Sequence, residues 1–65
     1  MTYGELKRHL RRQGVRFLKQ AKDHEIWINP ANGRRTFIGR HRGEVPDGTL
    51  RSILRQLGLR LEDLY

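Results

Sequence analysis

The imidazole of His24, in the segment KDHEIWI at residues 22–28, can carry a proton near neutral pH. The charged side chains of the chain are mostly Lys and Arg, so the imidazole stands in a basic setting. RNA needs little more for cleavage, because its 2′-hydroxyl is a nucleophile already beside the phosphate and the protein must only move a proton and stabilise negative charge. The alternative is an ordinary polar residue at a strand end, and the residues alone leave both interpretations open.

The remaining candidate groups give no second catalytic pattern. His9, His24 and His41 fall on a predicted helix, a strand entry and a loop, without the spacing of metal ligands. The chain has no cysteine, no glycine-rich phosphate loop, no serine nucleophile motif and no paired carboxylates placed to exchange a proton. We therefore predict no metal site and no cofactor, which leaves acid–base chemistry by histidine.

The charge of the chain predicts a polyanionic partner. Its 65 residues include 14 Lys and Arg against 7 Asp and Glu, a formal net charge of +7, and nucleic acid is the commonest polyanion. The candidate residues for binding RNA phosphate are Lys22, Arg40, His41, Arg42, Lys7 and Arg11. A solvated face is the alternative for the cations of the first helix, and a structural hydrogen bond to the loop backbone is the alternative for His41.

The length and composition also limit the class of protein. A chain of 65 residues gives a single domain, residues 1–65, with room for one site. The lack of cysteine fits a reducing compartment. No apolar stretch approaches the roughly 20 residues that span a bilayer, and the first residues lack the apolar run of a signal peptide. We expect a soluble cytoplasmic protein with no membrane contact.

Capping signals and apolar spacing predict a first helix. Thr2 and Glu5 have the spacing of a capping box, and apolar residues then recur at helical intervals. Gly14 suits a left-handed cap, so the helix should run from about residue 3 to residue 13.

A second helix is predicted near the end of the chain, with Asp47 as its cap and Gly58 at its close. Its apolar stripe consists of Leu50, Ile53, Leu54 and Leu57. Leu59 should fold back on Leu54 in the usual cap contact, and residues 61–64 should form a final short turn.

Three segments between these helices have the composition of strands: residues 15–20, 25–29 and 34–38. The second and third are separated by NPANG at residues 29–33, where Gly33 can supply the positive φ of a tight hairpin. Residues 39–47 should form an ordered loop. The order predicts an α+β fold like that of double-stranded-RNA-binding domains, helix-strand-strand-strand-helix, with a three-stranded antiparallel sheet and two helices on one face.

Strand alternation predicts an apolar patch on the other face of this sheet. If Trp27 faces the helices as a core residue, rather than stacking on a base, Ile26 and Ile28 point to the uncovered face. Leu18 and Phe37 should join them there. A patch of this kind more often marks a partner surface than an accident, and self-association into a homodimer is one use for it.

Several segments resemble one known family. They are residues 14–20, His24 with Trp27 three positions later, residues 40–43 (RHRG), and residues 48–54 (GTLRSIL). Together they make the chain similar, over nearly its whole length, to HicA-type toxins, the mRNA interferases of HicA/HicB toxin-antitoxin systems. The resemblance implies a double-stranded-RNA-binding-domain-like fold, metal-free endoribonuclease activity, a single catalytic histidine at His24, and an acidic HicB-type antitoxin that buries this histidine.

Two positions depart from the family pattern. The family usually has Gly-Ser before the histidine, where this chain has Lys22 and Asp23, so the turn backbone is expected to differ. Asp23 could favour the protonated imidazole or repel the RNA phosphate. Gly39 stands where the family typically has proline before an Arg-His pair, which should loosen the exit of the third strand.

Two rival classes remain open from sequence. A non-catalytic RNA-binding module would use the same fold and charge, and His24 would have no catalytic role in it. A small basic protein that binds only an acidic protein partner would not bind RNA near physiological salt.

Overall fold

The computed structural model describes all residues, 1–65, and has the predicted order of elements. The elements are α1 (Tyr3–Arg12), β1 (Arg16–Ala21), β2 (His24–Asn29), β3 (Arg34–Gly39), α2 (Asp47–Leu57) and a 3₁₀ turn (Leu61–Leu64). The α+β class and the three-stranded antiparallel sheet are confirmed, with strand order β1-β2-β3. Boundaries differ from prediction by one residue at several ends, and one of these differences places His24 inside β2 as its first residue.

Helix α1 starts where the capping box predicts. The Thr2 backbone N–H donates to Glu5 Oε1 at 2.8 Å, and the Glu5 backbone N–H donates to Thr2 Oγ1 at 3.1 Å. The bond from the Thr2 backbone lowers the pKa of Glu5, because it favours the charged carboxylate. The helix ends one residue before the predicted Gln13, and Gly14 follows with a φ of +86°.

Helix α2 corrects one prediction. Asp47 was expected to be the cap, but it is the first helical residue and Pro46 is the cap. Pro46 is extended, with φ −58° and ψ 146°, and its carbonyl already accepts the Leu50 N–H at 2.9 Å, so the first helical hydrogen bond begins one residue earlier. At the other end the predicted left-handed Gly58 is present with a φ of +73°, and the Leu59 N–H donates to the Leu54 carbonyl at 2.8 Å.

The sheet is covered on one face only. Along β2 and β3 the residues Trp27, Asn29, Thr36 and Ile38 are buried, whereas the residues between them are partly or fully exposed. The buried apolar residues of the sheet and of both helices form one core cluster. The core therefore lies between the helices and one face of the sheet, and we call the other, uncovered face the open face.

Strand β1 contains a bulge that shifts its register. Phe17 pairs with Trp27, but Lys19 rather than Leu18 is the partner of Ile26, so Leu18 is the extra residue. Phe17 keeps an edge-on contact with Trp27, with ring centroids 6.1 Å apart. Beyond the bulge the alternation of β1 is reversed, which decides which of its cations reach the open face.

Candidate active site and nucleic-acid interface

His24 stands on the open face between two small residues. It pairs across the sheet with Ala21 of β1 and Gly39 of β3, and it is exposed. Because side chains alternate along a strand, His24 shares its face with Ile26 and Ile28 and lies opposite to Trp27. Neither cross-strand neighbour carries a bulky side chain, so the imidazole is accessible to a large substrate.

The predicted apolar patch lies on the same face and adjoins His24. Phe37 pairs with Ile26 and is 61% exposed, and its ring is nearly perpendicular to the His24 ring, with centroids 6.3 Å apart. Ile28 lies on this face, and Leu18 is the bulge residue beside Ile26. We call Leu18, Ile26, Ile28 and Phe37 the apolar patch. Sequence alternation predicted the positions of Ile26, Ile28 and Phe37, whereas Leu18 lies at the bulge, where alternation breaks. The use of this patch as a partner surface remains a prediction.

Three cations on the open face were not among the predicted site residues. Arg16 and Arg35 flank Ile28 from the two neighbouring strands, and Lys19 pairs with Ile26. All three are exposed and none forms an ion pair. We call them the basic rim. Alternation along β3 predicts that Arg35 lies on the open face. Lys19 reaches this face only because of the bulge, which the sequence does not predict.

Lys7 and Arg11 lie on the opposite side of the sheet from His24. The Lys7 ammonium is 3.1 Å from Glu25 Oε1, the same oxygen that accepts the Trp27 indole N–H at 2.9 Å. The Arg11 guanidinium lies over the Trp27 ring, 5.1 Å from its centroid. The structure therefore does not bring these two cations to His24, and their contact with RNA remains a prediction for a different surface.

The carboxylate of Glu25 links α1 to β2 in this cluster. Partial burial acts to raise its pKa, but the hydrogen bonds from Trp27 and Lys7 favour the charged form, and the net effect is a lowered pKa. Glu25 directly follows His24, so this cluster fixes the strand end that presents the imidazole.

The turn before His24 and the loop after β3 meet at one end of the sheet. The Arg40 backbone N–H donates to the Asp23 carbonyl at 3.2 Å. A surface concavity of about 450 Å³ is lined by Asp23, Arg40 and His41. No hydrogen bond or ion pair joins the Asp23 carboxylate to His24, and Lys22, Arg40 and Arg42 are exposed cations without ion pairs. The turn that contains Lys22 and the loop that contains Arg40, His41 and Arg42 thus adjoin the end of the sheet that carries His24.

Comparison with known families identifies the chain. The family described as "HicA toxin of bacterial toxin-antitoxin" matches residues 3–59 of the 65. The chain belongs to the HicA toxin family. A toxin of this family acts within a toxin-antitoxin system, so a partner antitoxin is implied. Among curated proteins and among solved structures there is no significant match.

Lys22 holds the backbone conformation that a glycine would favour in this HicA-family turn. Its φ is +55°, and it is the only residue other than glycine with a positive φ. The Gln20 side chain donates to the Lys22 carbonyl at 2.7 Å and fixes the turn. Lysine in place of the family's usual glycine therefore adds strain and a positive charge beside His24.

The His41 ring occupies the space that a side chain at position 39 would need. A Cβ at position 39 would lie 2.5 Å from the His41 imidazole, and the His41 ring also packs near Tyr3, with centroids 5.4 Å apart. His41 makes no hydrogen bond, so the predicted bond to the loop backbone is wrong and packing holds the ring instead. Gly39 was expected to loosen the strand exit, yet it is the last residue of β3 and pairs with His24.

Two further properties of this HicA-family chain concern metals and membranes. No group of three His, Asp or Glu side chains converges in a way that could hold a metal ion. Neither helix is long and apolar enough to cross a bilayer.

Proposed function

We propose that this HicA-family toxin is an endoribonuclease that cleaves mRNA, with His24 as its acid–base residue and without a bound metal ion. The observation that carries the proposal is the position of His24: an exposed imidazole between Ala21 and Gly39, on a face that also has an exposed aromatic ring and free cations. The family's role as a toxin supports the proposal. The sequence segments in which the chain resembles mRNA interferases support the choice of substrate.

In this mechanism single-stranded RNA lies across the open face. The basic rim binds phosphates on either side of the cleaved bond, and Lys22, Arg40 and Arg42 neutralise the charge that builds up on the attacked phosphate. The 2′-oxygen forms a bond to phosphorus while His24 accepts the 2′-hydroxyl proton. The bond from phosphorus to the 5′-oxygen breaks, and that oxygen takes a proton from the imidazolium or from water. The products are a cyclic phosphate and a 5′-hydroxyl.

The antitoxin of this system is proposed to be of the HicB type, acidic and seated on the open face. An acidic protein complements the net charge of +7, and a protein that covers the apolar patch also covers His24. In the free toxin the patch would also support contact between two copies of the chain. Because mRNA is the proposed target, we place the activity in the cytoplasm.

The deciding experiment uses purified protein and a labelled single-stranded RNA in the presence of EDTA. The His24→Ala variant runs alongside, and circular dichroism checks that both proteins are folded. We expect cleavage by the parent and none by the variant, with cyclic phosphate ends on the products. Equal cleavage by the folded variant would overturn the role of His24, and loss of parental activity on adding EDTA would overturn the metal-free mechanism.

The second candidate is a non-catalytic RNA-binding module. The exposed Phe37 ring and the basic rim favour it, since stacking and phosphate contacts bind RNA without any proton carrier. RNA binding with no turnover by either protein, with or without added divalent metal, would establish this candidate. Salt dependence does not separate the two functions, because both lose affinity as salt rises.

A further inference from the structure

A polar groove runs along the free edge of β3, beside α2. Its volume is about 330 Å³, near the lower end of the range for ligand sites. Strand β3 is an edge strand of the sheet, so the groove opens to solvent along its side. Its walls include Thr36 and Phe37 from β3 and Thr49, Ser52 and Gln56 from α2. A site of this size holds a single flat ring rather than a folded segment of protein.

The hydrogen bonds of the groove fix the direction of one amide. The buried Thr36 hydroxyl donates to Gln56 Oε1 at 2.7 Å, which keeps the acceptor end of this amide turned towards β3. The donor end, Gln56 Nε2, makes only a long bond of 3.4 Å to Ser52 Oγ. The Thr49 hydroxyl has no partner within the protein. The groove therefore presents one oriented N–H donor and two hydroxyls that a ligand edge can satisfy.

Phe37 connects this groove to His24. Phe37 is one of the residues that line the groove, and its side chain is 61% exposed and meets the His24 ring edge-on with centroids 6.3 Å apart. Nucleobases stack on such rings through their flat faces. Phe37 therefore contacts both the groove and the candidate catalytic imidazole.

We infer that this groove binds one nucleobase of the RNA next to the cleaved phosphate and sets the base preference of cleavage. Phe37 supplies the stacking surface, and Gln56 reads the base edge. The inference rests on the proposed RNA cleavage at His24. A nucleobase fits better than a protein side chain because the lining combines an exposed ring with hydroxyl and amide groups and contains no charge of its own.

The test maps cleavage positions in an RNA pool of random sequence. The proteins are the parent, Phe37→Ala and Gln56→Glu, with Tyr65→Ala and Gln13→Glu as matched controls. Tyr65 is an aromatic residue with 83% exposure outside the groove, and Gln13 is the exposed cap residue of α1, so they control for loss of a ring and for added charge. Gln56→Glu keeps an oxygen that accepts from Thr36 but replaces the N–H donor with an acceptor.

We expect Phe37→Ala to lower cleavage at the preferred sites by about 5- to 150-fold, the loss that corresponds to one base stack, and to flatten the base preference. We expect Gln56→Glu to move the preference towards bases that present an amino group at that edge. Both controls should keep the parental preference. An unchanged preference in both groove variants would overturn the inference.

A binding arm separates failure of this inference from failure of the proposed function. Affinities of His24→Ala, alone and combined with Phe37→Ala, are measured for oligonucleotides of each single base. If no protein cleaves RNA but base-dependent affinity exists and is lost with Phe37, the enzyme function fails and the groove inference stands. If Phe37→Ala weakens every oligonucleotide equally and converts a dimer to a monomer, Phe37 is a contact between copies and the inference falls.

Discussion

The imidazole of His24 meets the ring of Phe37 edge-on, with the two planes at 87° and the centroids 6.3 Å apart. The candidate proton carrier and the most exposed member of the apolar patch are therefore parts of one surface. Any protein that covers Phe37 also restricts access to His24. The proposed RNA binding, antitoxin binding and contact between copies would therefore compete for this face.

The first prediction concerns self-association through Phe37. We expect the parent to form dimers at high concentration, because the patch would otherwise stay in contact with water, and we expect Phe37→Asp to stay monomeric because the carboxylate would be buried in the contact. Sedimentation at increasing protein concentration measures this directly. If the parent stays monomeric at every concentration and Phe37→Asp behaves identically, the prediction of self-association is wrong.

The second prediction uses the strained turn at Lys22. We expect Lys22→Gly to raise the free energy of unfolding by up to about 1 kcal/mol, because glycine adopts the positive φ without strain. Lys22→Ala removes the same charge but keeps the strain. In a His24→Ala background, both variants should bind RNA more weakly, with a salt slope smaller by about 1.

Urea denaturation and RNA titration over a series of salt concentrations give the two readouts for Lys22. The pair of variants separates them, since stability should differ between Gly and Ala while RNA affinity should not. Equal stability of the two variants would mean that the turn is not strained. Unchanged RNA affinity in both would remove Lys22 from the phosphate-binding set.

Much of the open face could be predicted from the sequence because alternation is strict in β2. Once Trp27 is assigned to the core, Ile26, Ile28 and His24 must lie on the other side, and the structure agrees. The same rule fails in β1, where the bulge at Leu18 brings Lys19 opposite Ile26. A bulge depends on the pairing of two strands and has no local signal in these residues.

Other features of the site depend on contacts between segments distant in sequence or on the turn conformation. Lys7 contacts Glu25, and Arg11 contacts Trp27, because these two residues of β2 pack against α1. A helical wheel of α1 shows which residues share a face of the helix, but not which strand residues they contact. The strain at Lys22 follows from a two-residue connection between β1 and β2. The start of α2 was misassigned because Asp47 has a good cap side chain, whereas Pro46 has the extended backbone that a cap position requires.

The third prediction concerns Glu25 and acid stability. The folded pKa of Glu25 is lowered below its ordinary value of 4.5, so its contribution to stability is present above that value and is lost as the pH falls through the lowered pKa. We expect Glu25→Gln to reduce the free energy of unfolding by about 1–2 kcal/mol near neutral pH. As the pH falls from neutral to below 4.5, the variant should lose less stability than the parent.

Denaturation curves at several pH values test the prediction for Glu25. Glu62→Gln is the control, because Glu62 is exposed and pairs with Arg60 at the surface. The pKa of Glu5 is lowered as well, through its bond from the Thr2 backbone, so part of the acid dependence should persist in every variant. A Glu25→Gln curve parallel to that of the parent would show that the Lys7 and Trp27 contacts do not control this carboxylate.

The last prediction separates structure from chemistry at His41. Because a Cβ at position 39 would lie 2.5 Å from the His41 imidazole, Gly39→Ala should displace that ring and destabilise the fold, whereas in a His41→Ala background the same change should cost much less. The double-mutant cycle should give a coupling energy of about 0.5–3 kcal/mol from urea denaturation.

RNA cleavage by His41→Ala is the chemical readout. Loss of a proton-transfer residue costs about 10²–10⁴-fold in rate, and we expect a loss below about tenfold because the ring is held by packing on Gly39 and Tyr3. A loss of the larger size, in a variant that stays folded, would make His41 a second acid–base residue beside His24.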